Sequence, residues 1–102
     1  MASFFKKLFG TPVDYSKLIQ DGAQIIDVRT KQEFVGGHIR NSKNIPLNVL
    51  ASDCNKLDKS KPVITCCASG MRSASAKSIL KSKGFEVYNG GGWMSLQSKI
   101  KH

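Results

Sequence analysis

The apolar β-type run Val63-Ile64-Thr65-Cys66 gives way, across a loop of a few residues, to a helical stretch over 71–83. A strand that feeds straight into a helix constrains the fold strongly, because the following strand then rejoins the same sheet in parallel through a right-handed crossover. The rest of the chain repeats the pattern. Asp14 is placed to cap a helix carrying Tyr15, Leu18 and Ile19 up to Gly22, after which Gln24-Ile25-Ile26-Asp27-Val28 reads as a buried strand. A short helix is expected over 31–35, ending at Gly36-Gly37. A strand follows over 43–45, then a helix over 47–51 with Pro46 at its first-turn position. Gly84 stands where a left-handed cap would close the main helix, and the chain finishes with a strand over 85–88 and a helix over 93–100. The expected fold class is α/β, a small domain with a mostly parallel central sheet flanked by helices.

At 102 residues the chain is expected to form one domain, over 13–102. Residues 1–12 read as an extension, with Gly10-Thr11-Pro12 as the break. In it Phe4, Phe5, Leu8 and Phe9 surround Lys6 and Lys7, an amphipathic pattern too short to span a bilayer and without the apolar core of a signal peptide. It is expected to fold back onto the domain, with contact to a membrane surface as the alternative. The net charge of +9 comes from thirteen lysines and three arginines against seven acidic residues. It favours anionic ligands and acidic partners, but the lysines are scattered without an aromatic platform, so no nucleic-acid partner is expected. Three cysteines, two of them adjacent, do not form a disulfide framework, and no Cys/His cluster has metal-ligand spacing. A reducing, cytoplasmic location and no metal or cofactor are expected.

The loop between strand and main helix carries the chemistry. Cys67 heads Cys67-Ala68-Ser69-Gly70-Met71-Arg72, a C-x-x-G-x-R spacing followed by Ser73. Unpaired amides and the helix dipole at a helix start favour negative charge, which lowers a thiol pKa toward the reactive thiolate. Gly70 lets consecutive amides curl into a nest for an anion. A cysteine at the end of an apolar strand is otherwise simply a small buried hydrophobe, but that reading requires neither the glycine nor the arginine. Strand alternation sends Cys66 to the opposite side, so Cys66 is assigned to packing and Cys67 to chemistry. Cys66 and Arg72 also satisfy the C-x5-R spacing of cysteine phosphatases, although Thr65 stands where those usually have histidine.

Four ordered segments carry a resemblance to the rhodanese-like sulfurtransferase domains, covering about 13–97. They are Ile26-Asp27-Val28-Arg29 with Glu33-Phe34, Gly37-His38-Ile39 leading to Asn44-Ile45-Pro46, the Cys67 loop, and Gly91-Gly92. The resemblance implies a sulfurtransferase in which Cys67 is the catalytic nucleophile and passes through a persulfide. Ala68, Ser69, Gly70, Met71 and Arg72 form the substrate loop, with Arg72 favouring thiolate and anionic substrate. It implies a structural role for Asp27, Arg29 and Glu33, and the spacing of Glu33 four residues beyond Arg29 makes it the expected partner of Arg29. His38 is expected to fix a turn rather than to act as a base. The partners expected are a small sulfur donor and a thiol or cyanide acceptor, with a protein persulfide as a further donor or acceptor. A non-catalytic sulfur-carrying or redox-sensing module is the alternative. Cys54 has no assigned role, and Trp93 reads as core or groove wall. The chain departs from its relatives in one place, where their tryptophan four residues after the Gly-Gly pair is replaced by Leu96.

Overall fold

The computed structural model describes residues 12–100, so the proposed extension over 1–12 lies, apart from Pro12, outside the described residues. In chain order the elements are α1 (Tyr15–Gln20), β1 (Gln24–Asp27), α2 (Lys31–Val35), β2 (Lys43–Asn44) and α3 (Leu47–Asp53). A 3-10 turn (Cys54–Lys56), β3 (Val63–Cys67), α4 (Met71–Ser82), β4 (Val87–Gly92) and α5 (Trp93–Lys99) complete the fold. The four strands make one sheet in the order β2-β1-β3-β4, and every pairing is parallel.

Alternation along the strands sorts the core into two layers. Ile26, Val28, Val63 and Cys67 face α3 and α4, where they meet Leu50, Cys54, Ala76, Leu80 and Phe85. Ile25, Ile64 and Cys66 face the other way, toward Ile39, Leu96 and Ile100 with Tyr15, Leu18 and Trp93 packed around them. Full burial of an aliphatic side chain such as Ile26 or Leu80 contributes about 2 kcal/mol.

Local signals fix the helix ends. Asp14 caps α1 by accepting from the Lys17 amide at 3.1 Å. Thr30 and Glu33 form a reciprocal capping box on α2. At the end of α4, Gly84 takes φ +94° and donates to the Lys81 carbonyl, while Phe85 donates to Leu80, the paired bonds of a Schellman motif.

Several boundaries differ from the sequence expectation. Pro46 precedes α3 as its N-cap residue instead of opening its first turn, and α3 continues to Asp53. The last strand starts at Val87 because Phe85 is consumed by the helix cap, and it runs on through Asn89-Gly90-Gly91-Gly92. Glycines read as a break in sequence, but here close packing demands them. A Cβ on Gly90 would lie 2.8 Å from both Leu96 Cδ2 and the Thr65 carbonyl oxygen. The register slips at the same place, with Thr65 opposite Asn89 but Cys67 opposite Gly92, so β4 carries an extra residue beside the end of β3.

Candidate active site

Cys67 closes β3, and three residues later Gly70 stands as the N-cap residue of α4 at φ +106°, a conformation that a side chain would resist. Gly70 brings no side chain to cap the helix. The sulfur takes that part: Cys67 Sγ accepts from the Gly70 amide at 3.0 Å and from the Ser73 amide at 3.3 Å. No surface of Cys67 is exposed. Burial by itself would raise the thiol pKa, but the Ser73 hydroxyl and amide and the Gly70 and Ser69 amides outweigh it, and the pKa falls below its ordinary value. The Ser73 hydroxyl has one proton for three acceptors, since it also lies 2.7 Å from Asn89 Oδ1 and 2.9 Å from the Gly70 carbonyl.

Cys66 behaves oppositely. It sits on the far face of the sheet, and burial, helped by the charge of Asp27, pushes its thiol up to about 12. A thiol so strongly held in the protonated form is a poor nucleophile, which removes the physical basis for the phosphatase reading of C-x5-R.

The charged residues near the loop pair differently from expectation. Asp27 and Arg29 form a buried forked pair, with Nη2 to Oδ2 at 2.7 Å and Nε to Oδ1 at 3.0 Å. Arg29 also donates to the Gly37 carbonyl at 2.7 Å and lies 4.8 Å from the Trp93 ring centroid. It touches Glu33 only through the backbone carbonyl, at 3.3 Å. The Glu33 carboxylate instead binds Arg72 through both oxygens, at 2.7 and 3.0 Å. Helix geometry explains the correction: the capping box turns Glu33 back toward Thr30 at the start of α2, where the Arg72 side chain arrives from α4. Arg72, followed by Thr30, holds the Glu33 carboxyl down at about 2. The Arg72 charge is thus largely offset before any substrate arrives.

The remaining expected residues separate into two groups. Ala68 and Ser69 are exposed on the loop, and Met71 is 81 % exposed at the start of α4. His38 Nδ1 donates to the Phe34 carbonyl at 2.7 Å and its ring stacks on Phe34, which places it in the turn after α2. Cys54 is buried in the α3 side of the core and donates to the Ala51 carbonyl at 3.5 Å. Leu96 fills the place against Gly90, and Trp93 lies over Gly37. Among the described residues no group of three or more His, Cys, Asp or Glu side chains is placed to hold a metal ion.

Sequence reasoning missed Ser73, Asn89 and Thr65 as parts of this site. Thr65 Oγ1 donates to the Ser73 carbonyl at 2.9 Å, and Asn89 Oδ1 accepts from both the Ser73 hydroxyl and the Gly91 amide. A usable signal existed in Asn89-Gly90-Gly91, since asparagine before glycine commonly folds back on the amide two residues on.

Comparison with known proteins bears on the family and the fold. The Rhodanese-like domain family matches residues 11–99. The chain is 43 % identical over 81 residues to the protein YqhL of Bacillus subtilis, covering 78 % of this chain and 64 % of that one. It is 31 % identical over 101 residues to the thiosulfate sulfurtransferase GlpE of Pseudomonas aeruginosa, covering 98 % and 90 % respectively. The crystal structure of a rhodanese-related protein from Thermoplasma volcanium superposes with a TM-score of 0.69 at 30 % identity, covering 78 % of this chain and 80 % of that one. With a family match over most of its length and a parallel four-stranded sheet ending in the Cys67 loop, the chain belongs to the rhodanese-like domain family.

Proposed function

We propose that this chain is a sulfurtransferase that carries sulfane sulfur as a persulfide on Cys67. The observation that carries the reading is the Cys67 sulfur bonded by the Gly70 and Ser73 amides at the start of α4, with its pKa lowered. In the first step the Cys67 thiolate attacks the outer sulfur of a donor. A new S–S bond forms to Cys67, the donor's own bond to that sulfur breaks, and the donor leaves with the electron pair. In the second step an acceptor, a thiol or cyanide, attacks the outer sulfur and expels the Cys67 thiolate. The negative charge moves from Cys67 to the outer sulfur and back, and preorganised amides hold it at both stages.

The surroundings favour an organic or protein-borne persulfide over a small dianion. Arg72 is already bound by Glu33, and the cleft beside it is lined by Val28, Thr30, Pro46, Leu47 and Asn48. Met71 and Val35 are among the most exposed apolar side chains, and both neighbour the Arg72–Glu33 pair in sequence. The free cysteines suit a reducing compartment such as the cytoplasm.

The test is thiocyanate formation from thiosulfate and cyanide, and persulfide formation on a thiol acceptor from an organic persulfide donor, by the intact protein and its Cys67→Ser and Cys66→Ser variants. Turnover that disappears in Cys67→Ser and survives in Cys66→Ser is expected. Turnover retained in Cys67→Ser would overturn the assignment.

A further inference from the structure

We propose that Asn89 is a positioning residue for the Cys67 sulfur: by holding the Ser73 hydroxyl, it keeps the Ser73 amide aimed at Sγ. Each polar group of Ser73 is engaged. Its carbonyl takes the Thr65 hydroxyl of β3 at 2.9 Å, its hydroxyl lies 2.7 Å from Asn89 Oδ1 of β4, and its amide donates to Cys67 Sγ at 3.3 Å. The residue is fully buried, so water does not replace any of these partners.

The orientation of the Asn89 amide is fixed by its neighbours. The Gly91 amide can only donate, so the atom 2.9 Å from it is the oxygen, and the Ser73 hydroxyl 2.7 Å away faces an acceptor on Asn89, at a shorter distance than the Gly70 carbonyl at 2.9 Å. Asn89 is itself anchored. Its carbonyl accepts from the Tyr15 hydroxyl of α1 at 3.1 Å, and it stands opposite Thr65 just before the register slip of β4. Alternation along β4 puts Asn89 on the same face as Val87, which packs in the α3 and α4 layer, so its side chain points toward α4. Thr65 and Asn89 thus grip one residue of α4 from two strands, and its amide points at the sulfur.

The role runs through Ser73 and not through contact with sulfur, so the two side chains act as a unit. Removing either leaves the first turn of α4 free to settle away from Cys67, and removing both adds little. The inference rests on Cys67 being the reactive thiol, and its readout is thiol chemistry, so it can fail while sulfur transfer stands, or the reverse.

The experiment is the pH dependence of iodoacetamide alkylation at Cys67, located by peptide mass mapping, in the intact protein and in Asn89→Ala, Ser73→Ala and the double variant. Loss of one hydrogen bond to a charged group corresponds to a midpoint raised by about one pH unit. That rise is expected in Asn89→Ala, a larger one in Ser73→Ala because its hydroxyl also acts on the sulfur, and no further rise in the double variant beyond that of Ser73→Ala. Asn89→Leu, which keeps the side-chain bulk but offers no acceptor, replaces Asn89→Ala should the latter not fold, and the same rise is expected. An unchanged or lowered midpoint on loss of the Asn89 acceptor, or two shifts that add in full, would overturn the proposal.

Discussion

Cys66 and Cys67 are adjacent in the chain, yet their surroundings drive them apart. Cys67 meets amide donors at a helix start and its pKa falls, whereas Cys66 meets apolar side chains and the Asp27 charge and rises to about 12. The alkylation rate of Cys67 should therefore reach half its maximum below the ordinary thiol pKa of about 8.5, while Cys66 stays unmodified up to strongly alkaline pH. Peptide mapping of the alkylated protein across a pH series checks both. The Glu33 carboxylate offers a second test at the same scale. Glu33→Gln keeps a side chain able to complete the capping box but removes the charge that offsets Arg72. The KM for thiosulfate should fall by about two- to threefold with little change in kcat, an effect of the size expected for a half-exposed pair. A KM unchanged by the substitution would mean that Arg72 does not meet the donor.

At the scale of elements, the loop holds its shape because β4 comes close beneath it. A Cβ on Gly92 would stand 2.9 Å from the Ala68 carbonyl oxygen, so Gly92→Ala must displace the loop backbone. Sulfur transfer should drop on the order of tenfold to a hundredfold while the protein remains folded, as kinetics alongside a melting curve would show. The Asp27–Arg29 pair ties the end of β1 to the turn at Gly37. Asp27→Asn leaves a buried guanidinium without its counter-charge and should cost about 3–5 kcal/mol in urea unfolding. These elements also show what the sequence discloses. Strand alternation placed Cys66 and Cys67 on opposite faces, and Asp14, Gly70 and Gly84 marked helix ends through local chemistry that needs no distant partner. The course of β4 was hidden because Gly90 and Gly92 are demanded by Leu96, Thr65 and Ala68, all supplied by other elements. The partner of Glu33 was hidden for a like reason, since Arg72 lies 39 residues away and only the folded chain brings it near, whereas Arg29 was the neighbour that spacing suggested.

For the whole molecule, the same groups set the pH range of stability. Glu33 has a folded pKa of about 2 against an ordinary 4.5, so its contribution is complete above 4.5 and disappears as pH falls through 2. Cys66 acts at the other end: its thiol stays protonated in the folded chain up to about 12 but ionises near 9 when unfolded, so stability drains away as pH rises across that interval. Cys66→Ala should flatten the alkaline limb of a plot of unfolding free energy against pH and leave the acid limb unchanged. The net charge of +9 adds self-repulsion that grows as carboxylates protonate, so salt should protect the acid limb. The fold as a whole serves to hold one sulfur against amide donors at the end of a parallel strand. Intact-mass measurement after brief treatment with a sulfur donor, followed by a thiol acceptor, tests that most directly. The account predicts a gain of one sulfur atom that maps to Cys67, is absent in Cys67→Ser and is removed by the acceptor. Absence of any gain with thiosulfate and organic persulfides alike, or a gain that survives in Cys67→Ser, would contradict it.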